Sequence, residues 1–181
     1  MAALRADRLT LDVAHIDSLS SAQWLEIVDL CAHVFDEDFQ AIFANLPDTT
    51  HVLERVDGVL VSHACWVVRW LQPGGLRPLR TAFVEAVATA PDHRSRGYAT
   101  AVVRRTAAEI AGFALGGLST GIPAFHERLG WERWRGPLSI RTDDGPVPTL
   151  QDSAMVLRLA ATLELDLNAP MFAEWRPGEP W

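Results

Sequence analysis

The chain has 181 residues, 49% of them hydrophobic, which is enough for one substantial core and makes a single domain over 1–181 the default. A net charge of −7 speaks against a nucleic-acid partner and suits a cationic small molecule. The two cysteines lack metal-ligand spacing, the Met1-Ala-Ala-Leu-Arg-Ala-Asp-Arg8 start has no apolar core, and no apolar run nears the roughly 18 residues of a membrane span. Neither export nor membrane insertion is therefore expected, and a reducing cytoplasm fits.

In chain order, residues 9–13 alternate as a first strand. Ser20-x-x-Gln23 has the form of a capping box and opens a helix through Phe35, with Trp24, Ile27, Val28, Cys31 and Val34 facing inward. Asp36-Glu-Asp38 reads as an acidic loop. The 52–56 run, the Asp57-Gly58 turn and the 59–70 run predict a hairpin, since Asp-Gly suits a type I′ turn. A strand over 83–88 leads into a helix over 99–111, marked by Ala99, Val102, Val103, Thr106 and Ile110 at spacings of three and four and ended by Gly112. A strand at 115–119, a short helix at 123–129 and strands around 134–140, 155–159 and 163–167 complete the chain. Antiparallel strands followed by a strand–helix–strand unit predict an α/β (α+β) fold, with a mixed, mostly antiparallel sheet and helices on both faces.

Two features carry chemistry. Glu85 is the lone acid in the apolar run Phe83-Val-Glu-Ala-Val-Ala88, so it must find a partner or shift its pKa, and a poised base is the natural reading. The turn Arg94-Ser-Arg-Gly-Tyr-Ala99 has two readings: an ordinary loop with solvated arginines, or an anion cradle at a helix N-terminus.

The same turn matches, at every defined position, the Gln/Arg-x-x-Gly-x-Gly/Ala pyrophosphate motif of the GNAT superfamily of acetyl-CoA-dependent N-acetyltransferases, which the chain therefore resembles. More specifically it resembles the aminoglycoside 2′-N-acetyltransferases, through Phe83-Val-Glu-Ala-Val87, Gly130-Trp-Glu-Arg-Trp-Arg-Gly-Pro137 and Trp175-Arg-Pro-Gly-Glu-Pro-Trp181. That resemblance implies acetyl-CoA as co-substrate, its pantetheine arm along the backbone of Val87, Ala88 and Thr89, and its pyrophosphate on the amides of Arg94, Ser95, Arg96, Gly97, Tyr98 and Ala99. It implies a cationic aminoglycoside as acceptor, met by Asp38, Glu85, Asp152, Glu179 and the Trp181 carboxylate, with Ser119 and the Ala86 backbone adding polar contacts. It also implies a homodimer.

An ammonium has no lone pair, so acetyl transfer needs a base, and two candidates stand: Glu85 through a water, and the Trp181 carboxylate. Where the superfamily usually has a tyrosine to protonate the leaving thiolate, this chain has His126. Either its imidazolium donates that proton, or His126 is a partly exposed histidine and the thiolate leaves unaided. His15, His33, His51, His63 and His93 show no ligand spacing, so no metal is expected. Trp24, Trp66 and Trp70 fit core or strand packing, while Trp131, Trp134 and Trp175 are candidate walls of an acceptor cleft, with burial as their main role. Two other readings remain open: acetylation of another amine, such as a polyamine or a cell-envelope amino sugar, and a non-catalytic module that binds acyl-CoA or drug.

Overall fold

The computed structural model describes residues 8–178 and 180–181. The start of the chain, read above for its lack of an apolar leader, and Glu179 lie outside the described residues.

The capping box forms as the spacing predicts: the Ser20 side chain accepts from Gln23 N while the Gln23 side chain takes the Ser20 N–H, and α1 runs Ser21–Phe35. Strand β1 (Leu9–His15) pairs antiparallel with β2 (Thr50–Val56), which turns at Asp57-Gly58 into the long β3 (Val59–Pro73). Strand β4 (Leu79–Thr89) lies antiparallel to β3, and α3 (Tyr98–Glu109) crosses over to β5 (Leu115–Leu118), which pairs with β4 in parallel. Period-two alternation then sorts the side chains. Leu53, Cys65 and Phe83 face the layer of α1, while Val52, Trp66 and Val84 face the layer of α3. Helices on both faces of a mixed sheet are thus the direct outcome of the strand pattern.

Several elements differ from the sequence reading. The acidic loop ends in a helix, α2 (Phe39–Ala44), because Asp38 Oδ1 accepts from Ala41 N as its N-cap and Phe39 and Phe43 are buried. Gly112 is not a left-handed cap; α3 instead tightens into a 3₁₀ turn at Ile110–Gly112. The helix α4 (Pro123–Glu127) is short. The expected strand at 134–140 is split into β6 (Glu132–Arg133) and β7 (Leu138–Thr142), with β8 (Gly145–Pro148) paired to β7. The split falls at Gly136, where an added Cβ would stand 1.8 Å from the Ala169 carbonyl oxygen, so another backbone passes there at a distance only glycine allows.

That backbone also replaces the expected strand at 163–167. Leu165 and Leu167 are buried, but the Leu167 carbonyl accepts from Arg135 N and Gly136 N outside any ladder. Strand β9 (Met155–Leu157) stands on the far side of β5, and β10 (Met171–Glu174) lies between β7 and the end of β3. Together the described strands form one ten-stranded sheet. No helix among the described residues is long and apolar enough to cross a membrane.

Candidate active site

Strands β4 and β5 pair only from Thr81–Leu115 to Val84–Leu118, whereas β4 continues to Thr89. Beyond Val84 the two strands part, and a cavity of about 1210 Å³ occupies the opening. Glu85, Ala86, Val87 and Thr89 line its β4 side, Leu118, Ser119 and Thr120 its β5 side, and α1, α2 and the C-terminal segment close over it. A β-bulge marks the same place: His63 faces Ala88 and Cys65 faces Glu85, so Ala64 stands opposite both Ala86 and Val87. Ala86 takes the left-handed conformation, φ 51°, which costs an alanine on the order of 1–2 kcal/mol and re-aims the strand.

The cradle leads into the same cavity. Gly97, at φ 91°, is the N-cap of α3, and no side chain caps the amides of the first turn. Nothing lies within 4 Å of the position of a Gly97 Cβ, so the demand for glycine there is conformational. Ser95, at φ 61°, completes the turn. Open amides at a helix start, with Arg94 and Arg96 exposed beside them, form a donor set that fits a pyrophosphate. Of the residues expected to hold acetyl-CoA, Val87, Thr89, Arg94 and Ala99 line the cavity; Ala88 is buried toward α1, and Ser95, Arg96, Gly97 and Tyr98 form the turn that leads to it.

At the other end the lining is acidic. Glu85, Asp152, Ser119 and Trp181 line the cavity together, and Glu37 joins them. The expected Asp38 has its Oδ1 engaged as the cap of α2, and its neighbour Glu37 provides the lining carboxylate there. The Glu85 side chain is partly buried and its Oε1 takes a 2.6 Å hydrogen bond from Arg176 Nη2. Trp181 is buried, 5% exposed as a residue.

His126 also lines the cavity, but it is buried rather than partly exposed, and burial pushes it down to about 4. Near pH 7 its ring is neutral, which corrects the imidazolium expectation. The tryptophan walls are likewise corrected: Trp131 and Trp134 are core residues, Trp175 is exposed, and none of the three lines the cavity. Trp70, read as strand packing, is 48% exposed.

Two arginines carry weight that sequence reasoning missed. Arg176 was visible only as a letter within the terminal segment, and nothing local signals its partner Glu85, which is 91 residues away. Arg69 is 1% exposed and donates to the Glu174 side chain, the Glu174 carbonyl and the Pro180 carbonyl. It binds the C-terminal segment to β3 and so sets Trp181 against the cavity. A basic residue in an apolar strand was the available signal, of the same kind that singled out Glu85.

Comparison with known proteins places the sequence and the fold. A family model described as an acetyltransferase (GNAT) domain matches residues 15–134. The aminoglycoside 2′-N-acetyltransferase of Mycolicibacterium fortuitum is 35% identical over 131 residues, covering 68% of this chain and 67% of that protein. Among solved structures, the Escherichia coli GNAT family N-acetyltransferase YhbS in complex with CoA superposes with a TM-score of 0.63 at 18% identity over 94% of this chain and 91% of that one. Escherichia coli ElaA does so at 0.62 and 16%, over 83% and 100%. A probable N-acyltransferase of Enterococcus faecalis matches with a TM-score of 0.57 at 19% identity over 72% of this chain, which spans only 33% of that longer one. At these identities the superpositions speak for the fold alone, while the family model and the curated relative place the sequence. The chain belongs to the GNAT acetyltransferases and, within them, to the aminoglycoside 2′-N-acetyltransferase family.

Proposed function

We propose that this protein transfers the acetyl group of acetyl-CoA to the 2′-amino group of an aminoglycoside. The observation that carries the reading is one continuous cavity that joins the opened edge of β4 and the start of α3 to the carboxylates of Glu37, Glu85 and Asp152. The activity named for the Mycolicibacterium fortuitum relative supports the choice of acceptor. A polycation needs several convergent carboxylates, whose charge-assisted hydrogen bonds are stronger than neutral ones.

Acetyl-CoA supplies the thioester whose carbonyl is the electrophile. The acceptor arrives as an ammonium and attacks only after losing a proton. Glu85 is the proposed base, acting through a water, with the Trp181 carboxylate as the second candidate. Arg176 holds one Glu85 oxygen and fixes the direction of the other. The Val87 N–H is the proposed donor to the oxyanion that forms as the amine adds. His126, being neutral, serves as an N–H donor to the departing thiolate, while the added nitrogen gives up its second proton to water as the C–S bond breaks and the thiolate is protonated to CoA thiol by solvent. The product carries an amide where the substrate had an ammonium, so the drug loses one of the charges by which it binds its target, and resistance follows.

The test is CoA thiol release with two aminoglycosides that differ only at C2′, one bearing an amine and the other a hydroxyl. Turnover confined to the amine is expected. Equal turnover on both would move the reaction to another amine, and silence on both despite acetyl-CoA binding would turn the reading to other amines or to a non-catalytic module.

A further inference from the structure

The buried histidines His51 and His63 line no part of the cavity, yet their hydrogen bonds lead to its wall. His51 lies on β2 and His63 on β3, and both are fully buried. Thr49 Oγ1 stands 2.7 Å from His51 Nε2, His51 Nδ1 2.9 Å from His63 Nε2, and His63 Nδ1 2.8 Å from the carbonyl oxygen of Ala86. The far end fixes every proton in this chain. A carbonyl only accepts, so His63 Nδ1 carries the hydrogen and its Nε2 accepts. His51 Nδ1 then donates to that nitrogen, and His51 Nε2 accepts from the Thr49 hydroxyl. Burial pushes His51 down to about 3 and His63 to about 4, so both rings are neutral and this single ordering holds.

The same rings and Cys65 bring three ligand-type atoms within 4.8 Å of one another. A metal would have to break the chain to bind, because every ring nitrogen is already committed to a hydrogen bond. Positioning is the better reading of the cluster.

The chain ends on the strained residue of the bulge. Across a trans peptide the carbonyl and the following N–H point in opposite directions. With the Ala86 carbonyl held by His63, the Val87 N–H is turned away from His63, and Val87 lines the cavity next to Glu85. We infer that Thr49, His51 and His63 are positioning residues for acetyl transfer: their ordered hydrogen bonds lock the Ala86–Val87 peptide so that the Val87 N–H faces the oxyanion. This inference rests on the acetyl-transfer reading above.

The decisive variants are His63→Leu, which removes the donor, and His63→Asn, which returns an N–H near the place of Nδ1. His63→Leu should lower kcat on the order of tenfold to a hundredfold, somewhat less than outright loss of an oxyanion donor, and should leave KM for acetyl-CoA within about twofold. His63→Asn should recover most of the loss. Ile27→Val, a small deletion in the same core, reports the effect of packing alone and should keep wild-type kcat. An undiminished kcat in His63→Leu, no recovery in His63→Asn, or an equal fall in Ile27→Val would overturn the inference.

A wild type silent with every acceptor would instead refute the functional reading, and NMR would then decide the positioning by itself. The expected spectra show His63 as the Nδ1–H tautomer at neutral pH, with a Val87 amide resonance that moves in His63→Leu and returns toward its place in His63→Asn. The Nε2–H tautomer, or a Val87 amide that does not move, would sink the inference.

Discussion

Glu85 and Arg176 form a pair with one side chain on β4 and the other in the C-terminal segment, joined at 2.6 Å in a partly buried setting. A carboxylate held this way can serve as the base or can only hold substrate charge, and the two roles separate by kinetics. If Glu85 is the base, Glu85→Gln should lower kcat on the order of 10² to 10⁴ and abolish the acid limb of the pH–rate profile. A variant that keeps that limb and a normal kcat while KM for the aminoglycoside rises would leave Glu85 with charge recognition alone. Glu85 was legible because an acid in an apolar strand breaks a pattern. Its partner was not, since a contact between residues 91 apart leaves no trace in local spacing. His126 shows the complementary limit: its identity was readable but its burial was not, and burial decides its charge.

Helices α1 and α3 and the long hairpin were legible as elements because each has its own period and its own start signal. The α1 capping box, the Asp57-Gly58 turn and the Gly97 entry to α3 are complete within a few residues. Of the short strands near the C-terminus, β9 was legible within the 155–159 run and β10 was not. β10, only four residues long, owes its pairing to β7 and the end of β3, and the 163–167 stretch is apolar for burial rather than for a ladder. Arg69 ties this region to the site through Glu174 and the Pro180 carbonyl. Arg69→Met keeps the apolar stem but removes hydrogen bonds to charged and carbonyl partners, each worth about 1.5–3 kcal/mol when a charge is involved. The expected result is a rise in aminoglycoside KM of about tenfold or more with acetyl-CoA KM little changed, read by varying each substrate in turn. Equal changes in both, or in neither, would mean that the C-terminal segment does not form the acceptor side.

Across the whole molecule, burial holds three histidines neutral: His51 at about 3, and His63 and His126 at about 4, against an ordinary value near 6.5. Between pH 6.5 and about 4 the unfolded chain binds protons that the folded chain refuses, so stability rises with pH through this window and is lost on acidification. Each such group contributes a slope of up to about 1.4 kcal/mol per pH unit. Glu54, whose carboxyl is raised by burial, acts with the opposite sign and offsets part of it. Urea unfolding at pH 6.5, 5.5 and 5.0 should show a steady fall in stability, and His126→Phe should flatten the fall by about one proton's worth. An identical slope in the variant would mean that His126 is not held neutral.

The alternating strands, the capped start of α1, the lone acid of β4 and the glycine-bearing turn before α3 follow from local sequence, because each is a property of a few neighbouring residues and of the backbone they allow. The approach of a second backbone at Gly136, the Arg69 and Arg176 links to the C-terminal segment, the neutrality of His126 and the Thr49–His51–His63 chain ending on Ala86 were decided only by the tertiary structure. Burial and hydrogen-bond partnership are properties of pairs brought together by the sheet, and the chain spacing between such partners carries no period from which they could be read.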